Sequence, residues 1–241
     1  MKFKNFSLLL ALLICTSVFP CSLNVYASQE ENIWEDVAFF GDSTTHGMIR
    51  YIVNGKDDMT APYIQLHRDQ ILTPPEGTFY LRNIPTTCIQ YRGSILPLKE
   101  ALQSAHPGIL IVTVGINGLS GWDEKSFTEL YNRLIDIITA STPQSQIILQ
   151  SIFPVAKNRA KRLSSFTVER VDMVNEWIRS IADQHGYLYI NSADVLKDDD
   201  GWLRPEYQNG DGLHLNAAGF NCVLQNIELT LQKLKGKNSN Q

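Results

Sequence analysis

Five short apolar runs, each followed by a longer amphipathic or polar stretch, constrain the fold of this chain more than any other feature. The run at residues 109–112 is apolar at every position, which is typical of a strand buried on both faces of a parallel sheet. The predicted strands are residues 37–41, 70–73, 109–115, 147–153 and 187–191, and the second is the weakest. Strands that alternate with helices predict an α/β domain with helices on both faces of the sheet.

The segments between these runs carry helical patterns. Apolar residues recur at spacings of three and four in residues 127–138, 171–181 and 220–234, which is the period of an amphipathic helix. Asn216 stands where its side chain can cap the last helix, and a shorter helix is predicted to begin at Pro97. These apolar stripes are interpreted as the core faces of the helices.

The order of the elements predicts a flavodoxin-like, three-layer α/β/α sandwich with a five-stranded parallel sheet in the strand order 2-1-3-4-5. With 44% hydrophobic residues in 241, the chain can bury one large core, and no linker interrupts it. Ligands of such sheets bind beyond the carboxyl ends of the strands, where the strand order reverses. Residues that follow the first strand and its two neighbours are therefore predicted to share one site.

Two short motifs contain the residue types that acyl transfer requires. Ser43 follows the first predicted strand in a Gly-Asp-Ser motif, and Asp211 and His214 stand three residues apart just before the last helix. A serine nucleophile needs an imidazole as its base and a carboxylate that orients the ring. A turn or a helix-capping loop would explain either motif alone. Together, at opposite ends of one domain, they predict a Ser-His-Asp site.

A candidate oxyanion donor follows the third predicted strand. Asn117 lies two residues beyond Gly115, as Ser43 lies two residues beyond Gly41 at the end of the first strand. Adjacent strands are about 4.8 Å apart, so both side chains are expected to reach one substrate atom. The amide of Asn117 and the backbone N–H of Ser43, in the first turn of a helix, are therefore predicted to stabilise an oxyanion.

These motifs, in this order and setting, resemble those of the GDSL-type SGNH hydrolases. The resemblance extends over essentially the whole chain after residue 27. It implies that Ser43 is the nucleophile, that His214 is the general base and acid, and that Asp211 is the carboxylate that orients the ring. It also implies that Asn117 is an oxyanion donor.

The remaining element of that family is a glycine after the second strand, whose N–H completes the oxyanion hole. Gly77 is the preferred choice and Gly93 is the alternative, because the end of the second strand is uncertain in the sequence. Two departures from the family are visible: Thr44 stands where the family name has leucine, and Gly118 stands where aspartate often follows the asparagine. Neither position makes or breaks a bond, so both bear on specificity more than on activity.

Residues 1–27 have the pattern of a signal peptide. Two lysines near the start precede an apolar stretch at residues 6–19, and residues 25–27 (Val-Tyr-Ala) supply a small residue at the cleavage point. The apolar stretch is short for a transmembrane helix. We therefore expect a secreted, extracellular protein whose hydrolase domain spans residues 28–241, with an uncleaved membrane anchor as the alternative.

Composition restricts the partners and the cofactors. The net charge of −4 at pH 7 argues against a nucleic-acid partner. Cys88 and Cys222 are the two cysteines after the predicted leader, too few for a disulfide scaffold or a four-cysteine zinc site, and whether they pair is left open. The histidines lack metal-ligand spacing, so no metal or other cofactor is predicted. His46, three residues after Ser43, either lines the pocket or is polar surface.

The expected function is that of a secreted serine esterase acting through an acyl-enzyme on small acyl esters, above all acetyl esters on carbohydrate. The substrate preference follows from export, because a secreted enzyme meets extracellular polysaccharides. The expected partner is thus a small-molecule or polysaccharide ester, without nucleic acid and without stable membrane insertion after signal cleavage. A lipase or lysophospholipase would use the same residues, and a non-catalytic carbohydrate-binding relative would keep the fold without turnover.

Overall fold

The fold is given by a computed structural model that describes residues 32–55, 66–160 and 165–238. The predicted signal peptide at residues 1–27 lies outside the described residues. None of the helices in the described part of the chain has both the length and the apolar character needed to cross a membrane.

A five-stranded parallel sheet forms the centre of the domain. The strands are β1 (Val37–Gly41), β2 (Ile71–Leu72), β3 (Cys88–Tyr91), β4 (Ser94–Pro97), β5 (Ile109–Thr113), β6 (Gln146–Gln150) and β7 (Leu188–Ile190). Five of them pair in parallel in the order β2-β1-β5-β6-β7, whereas β3 and β4 form a separate antiparallel hairpin. Numbered along the chain, the five parallel strands have the order 2-1-3-4-5, so the predicted topology is confirmed.

Helices cover both faces of this sheet. They are α1 (Ser43–Met48), α2 (Leu98–Ala105), α3 (Glu124–Ser141), α4 (Lys157–Ala160), α5 (Val168–His185) and α6 (Ala217–Asn238), and a π-helical turn (Ile49–Val53) continues α1. Because strand side chains alternate between faces, Phe40 and Val112 pack with α2, α3 and α5, whereas Phe39 and Ile111 pack with α1 and α6. This arrangement confirms the three-layer α/β/α sandwich.

Local signals in the sequence explain where the helices begin. The side chains of Asp123 and Thr167 accept hydrogen bonds from the first-turn N–H groups of α3 and α5, as helix N-caps do. Asn216 Oδ1 accepts from the N–H of Gly219 at 3.0 Å, which confirms the predicted cap of α6. Each fully buried apolar side chain on the inward stripes contributes about 1.5–3 kcal/mol to folding.

The β3–β4 hairpin was not predicted by the sequence pattern. Its turn contains Arg92 and Gly93, both with positive φ (46° and 76°), as tight two-residue hairpin turns require. β3 alternates between half-buried and buried residues over only four positions, and β4 is mostly exposed, Ile95 included, so the period-two signal is weak. Gly93, the alternative oxyanion glycine, therefore lies in a hairpin turn and not after a strand of the parallel sheet.

The two cysteines of the domain are free thiols. Cys88 lies on β3 and Cys222 on α6, and each is half-buried. The thiol of Cys222 is 3.4 Å from the carbonyl oxygen of Val195. In this structure the pairing that the sequence left open is not formed.

Candidate active site

A tight strand-to-helix turn positions Ser43. β1 ends at Gly41, Asp42 is the N-cap of α1, and Ser43 is the first residue of the helix. A Cβ at Gly41 would lie 2.0 Å from Thr45 Oγ1 and 2.7 Å from the carbonyl oxygen of Thr113. Only glycine therefore permits this turn, which holds the Ser43 side chain at the carboxyl edge of the sheet.

Ser43, His214 and Asp211 form one chain of hydrogen bonds. His214 Nε2 is 2.9 Å from Ser43 Oγ, and His214 Nδ1 is 2.6 Å from Asp211 Oδ2. An ionised carboxylate can only accept, so this 2.6 Å contact places a proton on Nδ1 and leaves Nε2 free to accept the serine proton. The structure thus brings together three residues that the sequence separates by up to 171 positions.

The loop before α6 fixes Asp211 in its place. The other carboxylate oxygen, Oδ1, accepts from the backbone N–H groups of Leu213 (2.7 Å) and His214 (2.9 Å). Burial acts to raise the pKa of Asp211, but hydrogen bonds from the His214 ring and these two N–H groups outweigh it and lower the pKa below its usual value. The carboxylate is therefore charged at neutral pH, as required to orient an imidazole.

A second carboxylate, Asp42, lies beneath the turn that carries Ser43. It is 1% exposed, and its Oδ1 accepts from the N–H (3.0 Å) and the hydroxyl (2.8 Å) of Thr44. Burial raises the pKa of Asp42 to about 6, against the opposing effects of Thr44, of the charge on His214 and of the Gly115 N–H. Sequence reasoning gave this residue no role, although an aspartate directly before a helix is a recognisable N-cap signal.

Asn117 lies beyond the end of β5, as predicted from its position. Its Nδ2 donates to the carbonyl oxygen of Phe79 at 2.9 Å, and the backbone carbonyl oxygen of Asn117 accepts from Trp122 Nε1 at 3.2 Å. An amide nitrogen carries two hydrogens, so one donor of Asn117 is left after the bond to Phe79. The bond to Phe79 orients the side chain, and the bond from Trp122 anchors the backbone at this position.

The glycine predicted for the oxyanion hole lies after β2, but its N–H already has an acceptor in this structure. Gly77 lies in the loop after β2 with φ +72°, but its N–H donates to the carbonyl oxygen of Pro74 at 2.8 Å. A Cβ at this position would lie 2.9 Å from the ring of His46. The loop therefore packs closely on α1, three residues from Ser43, while the Gly77 N–H is already bonded within its own turn. A role for Gly77 as an oxyanion donor stays a prediction.

His46 lines the cavity beside Ser43, one of the two alternatives that the sequence allowed. Its Nδ1 is 2.8 Å from Thr73 Oγ1. Burial lowers the pKa of His46, the charge of Arg68 lowers it further, and Glu76 opposes the shift. The ring is therefore uncharged at neutral pH.

A cavity of about 470 Å³ opens beside Ser43 and His214. Its wall is formed by α1, the π-helical turn that follows and the loop before α6. Within the described ranges, no group of three or more His, Cys, Asp or Glu side chains is arranged to hold a metal ion.

The family model of the GDSL-like Lipase/Acylhydrolase family matches residues 39–221, which include every residue of the hydrogen-bonded chain described above. The protein belongs to this family. The resemblance noted in the sequence is thereby confirmed.

Solved structures share the fold of this GDSL-family protein at low sequence identity. A GDSL-like lipase from Bacteroides thetaiotaomicron is 17% identical, with 82% of this chain and 88% of that chain covered and a TM-score of 0.56. A candidate acylhydrolase from Bacteroides fragilis is 16% identical, with 82% and 86% covered and a TM-score of 0.57. A protein from Streptococcus pneumonia, described as a candidate platelet activating factor, is 19% identical, with 81% and 83% covered and a TM-score of 0.59. No curated protein matches the chain.

One departure from the family name has a structural consequence. Thr44 replaces the leucine that follows the serine, and its hydroxyl donates to the buried Asp42. Leucine could not make this hydrogen bond. In this GDSL-family protein the buried carboxylate therefore has a donor that the family's usual residue would lack.

Proposed function

We propose that this protein is a secreted serine esterase that hydrolyses small acyl esters, above all acetyl esters on carbohydrate. The observation that supports this proposal is the Ser43–His214–Asp211 chain of hydrogen bonds at the edge of an open cavity. Membership of a lipase and acylhydrolase family agrees with ester chemistry.

The proposed reaction proceeds through an acyl-enzyme. Ser43 Oγ attacks the ester carbonyl carbon while its proton passes to His214 Nε2, and a tetrahedral intermediate forms. The intermediate collapses when His214 returns that proton to the leaving alcohol, which departs and leaves the acyl group on Ser43. Water then attacks the acyl-enzyme with His214 as base, and the acid is released as Ser43 regains its proton.

Charge that develops on the carbonyl oxygen needs donors that are already in position. The Ser43 N–H, at the first residue of α1, is one of the amides that a helix leaves without an intrahelical acceptor. The remaining amide hydrogen of Asn117 is the second proposed donor. Gly77 would become the third if its turn opened on substrate binding, since its N–H is bonded to Pro74 in this structure.

Polar side chains in the cavity wall support a carbohydrate alcohol as the leaving group. Asn54 and Asn209 contribute amides to the wall beside Ser43, and amides can donate to and accept from sugar hydroxyls. A long acyl chain would instead need a continuous apolar groove. Export is proposed from the leader at residues 1–27 and is tested by N-terminal sequencing of protein recovered from the culture medium.

The proposal is tested by turnover of p-nitrophenyl acetate. Wild type is compared with Ser43→Ala and His214→Ala, and Ser104→Ala and His185→Ala serve as matched exposed controls. We expect kcat to fall by at least about 10³-fold in the first pair and to be unchanged in the second. A wild type that is no faster than Ser43→Ala would favour the non-catalytic carbohydrate-binding alternative.

A series of p-nitrophenyl esters from acetate to dodecanoate separates the esterase from the lipase or lysophospholipase alternative. A small-acyl esterase loses kcat/KM as the chain lengthens beyond a few carbons. A rise in kcat/KM toward the long esters would support the lipase alternative, while the roles of Ser43, His214 and Asp211 would stand.

A further inference from the structure

The cavity beside Ser43 has an uneven distribution of charge. The wall beyond the reacting groups includes Arg50 and Tyr51 from the π-helical turn, Asn54 just after it, and Asn209 from the loop that carries His214. Among the described residues of the wall, Arg50 is the one with a formal charge, and none is an aspartate or a glutamate. Within the described part of the wall, the formal charge beside a bound ester is therefore positive.

Arg50 lies over a tyrosine ring, as two other arginines do, but it differs from them in its ion pairs. Arg92 and Arg179 lie over tyrosine rings at 5.3 and 4.8 Å, and each also lies 3.5 Å from a carboxylate oxygen, that of Asp69 or Glu176. The guanidinium of Arg50 likewise lies 5.5 Å from the Tyr51 ring centroid. In the described part of the chain, however, no ion pair includes Arg50, so its donors are available to a ligand.

The backbone that carries Arg50 is firmly anchored. Residues Ile49–Val53 form a π-helical turn directly after α1, and such turns are rare and frequently lie at functional sites. Tyr51 is 6% exposed and packs on Phe220, with ring centroids 6.0 Å apart. The base of the Arg50 side chain is thus fixed, although the guanidinium itself is exposed.

The loop that contributes Asn209 to the same wall is also fixed to the reacting groups. The N–H of Asn209 donates to the carbonyl oxygen of His214 at 2.9 Å, and Asn209 Oδ1 accepts from the N–H of Asp211 at 3.1 Å. The wall therefore combines a guanidinium that pairs with no described carboxylate and an amide, that of Asn209, bonded to the loop of His214. Guanidinium groups bind planar carboxylates through two parallel hydrogen bonds, and amides suit hydroxyl groups.

We propose that Arg50, with Asn54 and Asn209, forms a subsite for the carboxylate of an acidic sugar, so that the preferred substrate is an O-acylated uronate. This inference rests on the proposed esterase function and adds the class of alcohol to it. Arg50 is then a specificity-determining residue that binds the sugar and takes no part in bond making.

The test measures acetate release from two matched polymers. One is an O-acetylated polyuronate, and the other is the same polymer with its carboxylates converted to primary amides. We expect wild type to have about fivefold higher kcat/KM on the acidic polymer, because an exposed ion pair contributes modestly, and the preference should lie in KM and shrink in high salt. Arg50→Gln should reduce the ratio of kcat/KM on the acidic polymer to that on the amidated polymer to less than about twofold. Arg50→Lys should retain part of the preference.

Arg92→Gln is the matched control, because Arg92 also lies over a tyrosine but outside the cavity wall. It should keep the full preference of wild type. Equal rates of wild type on both polymers, or a preference that survives in Arg50→Gln, would overturn the subsite and leave the esterase function intact. A wild type inactive on both polymers and on p-nitrophenyl acetate would reject both proposals.

Discussion

Two aspartates lie on either side of Ser43 and have opposite properties. Asp211 is partly exposed and contacts the His214 ring, and its hydrogen bonds lower its pKa. Asp42 is almost fully buried beneath the Ser43 turn, and burial raises its pKa to about 6. The two residues are chemically identical, so the opposite shifts of their pKa values come from their surroundings.

The difference lies in what each carboxylate holds in place. Asp211 receives three hydrogen bonds from its own loop, one of them from the His214 ring that serves as the base in the proposed mechanism. Asp42 caps α1 and fixes the turn from which Ser43 projects. We infer that Asp211 acts on the reaction and that Asp42 acts on the fold, and the four predictions below test this division.

The largest effect is expected from Asp211→Asn. The neutral amide keeps an acceptor for the loop but favours the wrong ring tautomer, so kcat should fall by about 10³- to 10⁴-fold. The melting temperature should change by no more than about 4 °C. Steady-state kinetics and thermal unfolding measure both. Asp42→Asn is the matched control and should lower kcat far less; equal losses in the two variants would remove the distinction.

The stability of the two sites should respond to pH with opposite signs. Because the pKa of Asp42 is raised from 3.8 to about 6, its contribution to the free energy of unfolding is full below pH 4 and is lost as the pH rises through 6, by about 3 kcal/mol. The pKa of Asp211 is lowered, so its contribution is present above its usual pKa and is lost as the pH falls through the lowered value.

Urea unfolding of wild type and of the two asparagine variants between pH 3 and 7 measures this contrast. The stability of wild type relative to Asp42→Asn should decrease between pH 4 and 7. Its stability relative to Asp211→Asn should decrease only toward the acid end. Parallel curves for the two comparisons would contradict the assigned environments.

A smaller effect should separate Asp42→Ala from Asp42→Asn. Asparagine retains an oxygen that can accept from the Thr44 N–H, whereas alanine leaves that helix-start donor without a side-chain partner. Alanine should therefore be the less stable of the two by about 1–2 kcal/mol in urea unfolding. Asp136→Ala, on an exposed face of α3, is the control and should stay within about 0.5 kcal/mol of wild type.

The smallest effect is expected from Thr44→Val. Valine preserves the shape of the side chain but removes the hydroxyl that donates to Asp42 at 2.8 Å. The free energy of unfolding at pH 7 should fall by about 1 kcal/mol. In the Asp42→Asn background the same change should cost less, because a neutral acceptor is easier to leave unpaired. An equal cost in both backgrounds would show that the charge of Asp42 is not involved.

The sequence was sufficient for features that depend on local patterns. The parallel strands, the amphipathic helices and the strand order were predicted because periodicity and crossover length determine them. Ser43, Asp211 and His214 were found because each stands in a short motif next to a predictable element. The structure adds the distances that join them.

Features that depend on distant contacts could not be predicted in the same way. The strands of the β3–β4 hairpin have four residues each and β4 is mostly exposed, so its residues gave no clear strand signal. The burial of Asp42 depends on the surrounding elements of the sandwich, and the close approach of Gly77 to the His46 ring depends on how the loop after β2 packs on α1. None of these contacts has a signature within a few residues of the position concerned.

Covalent labelling with phenylmethylsulfonyl fluoride, followed by peptide mapping, tests the central claim most directly. The account predicts one sulfonyl group per chain, attached to Ser43, with loss of esterase activity in proportion to labelling and no labelling of His214→Ala. Loss of activity with the label on another residue, or full activity of a chain labelled at Ser43, would contradict it.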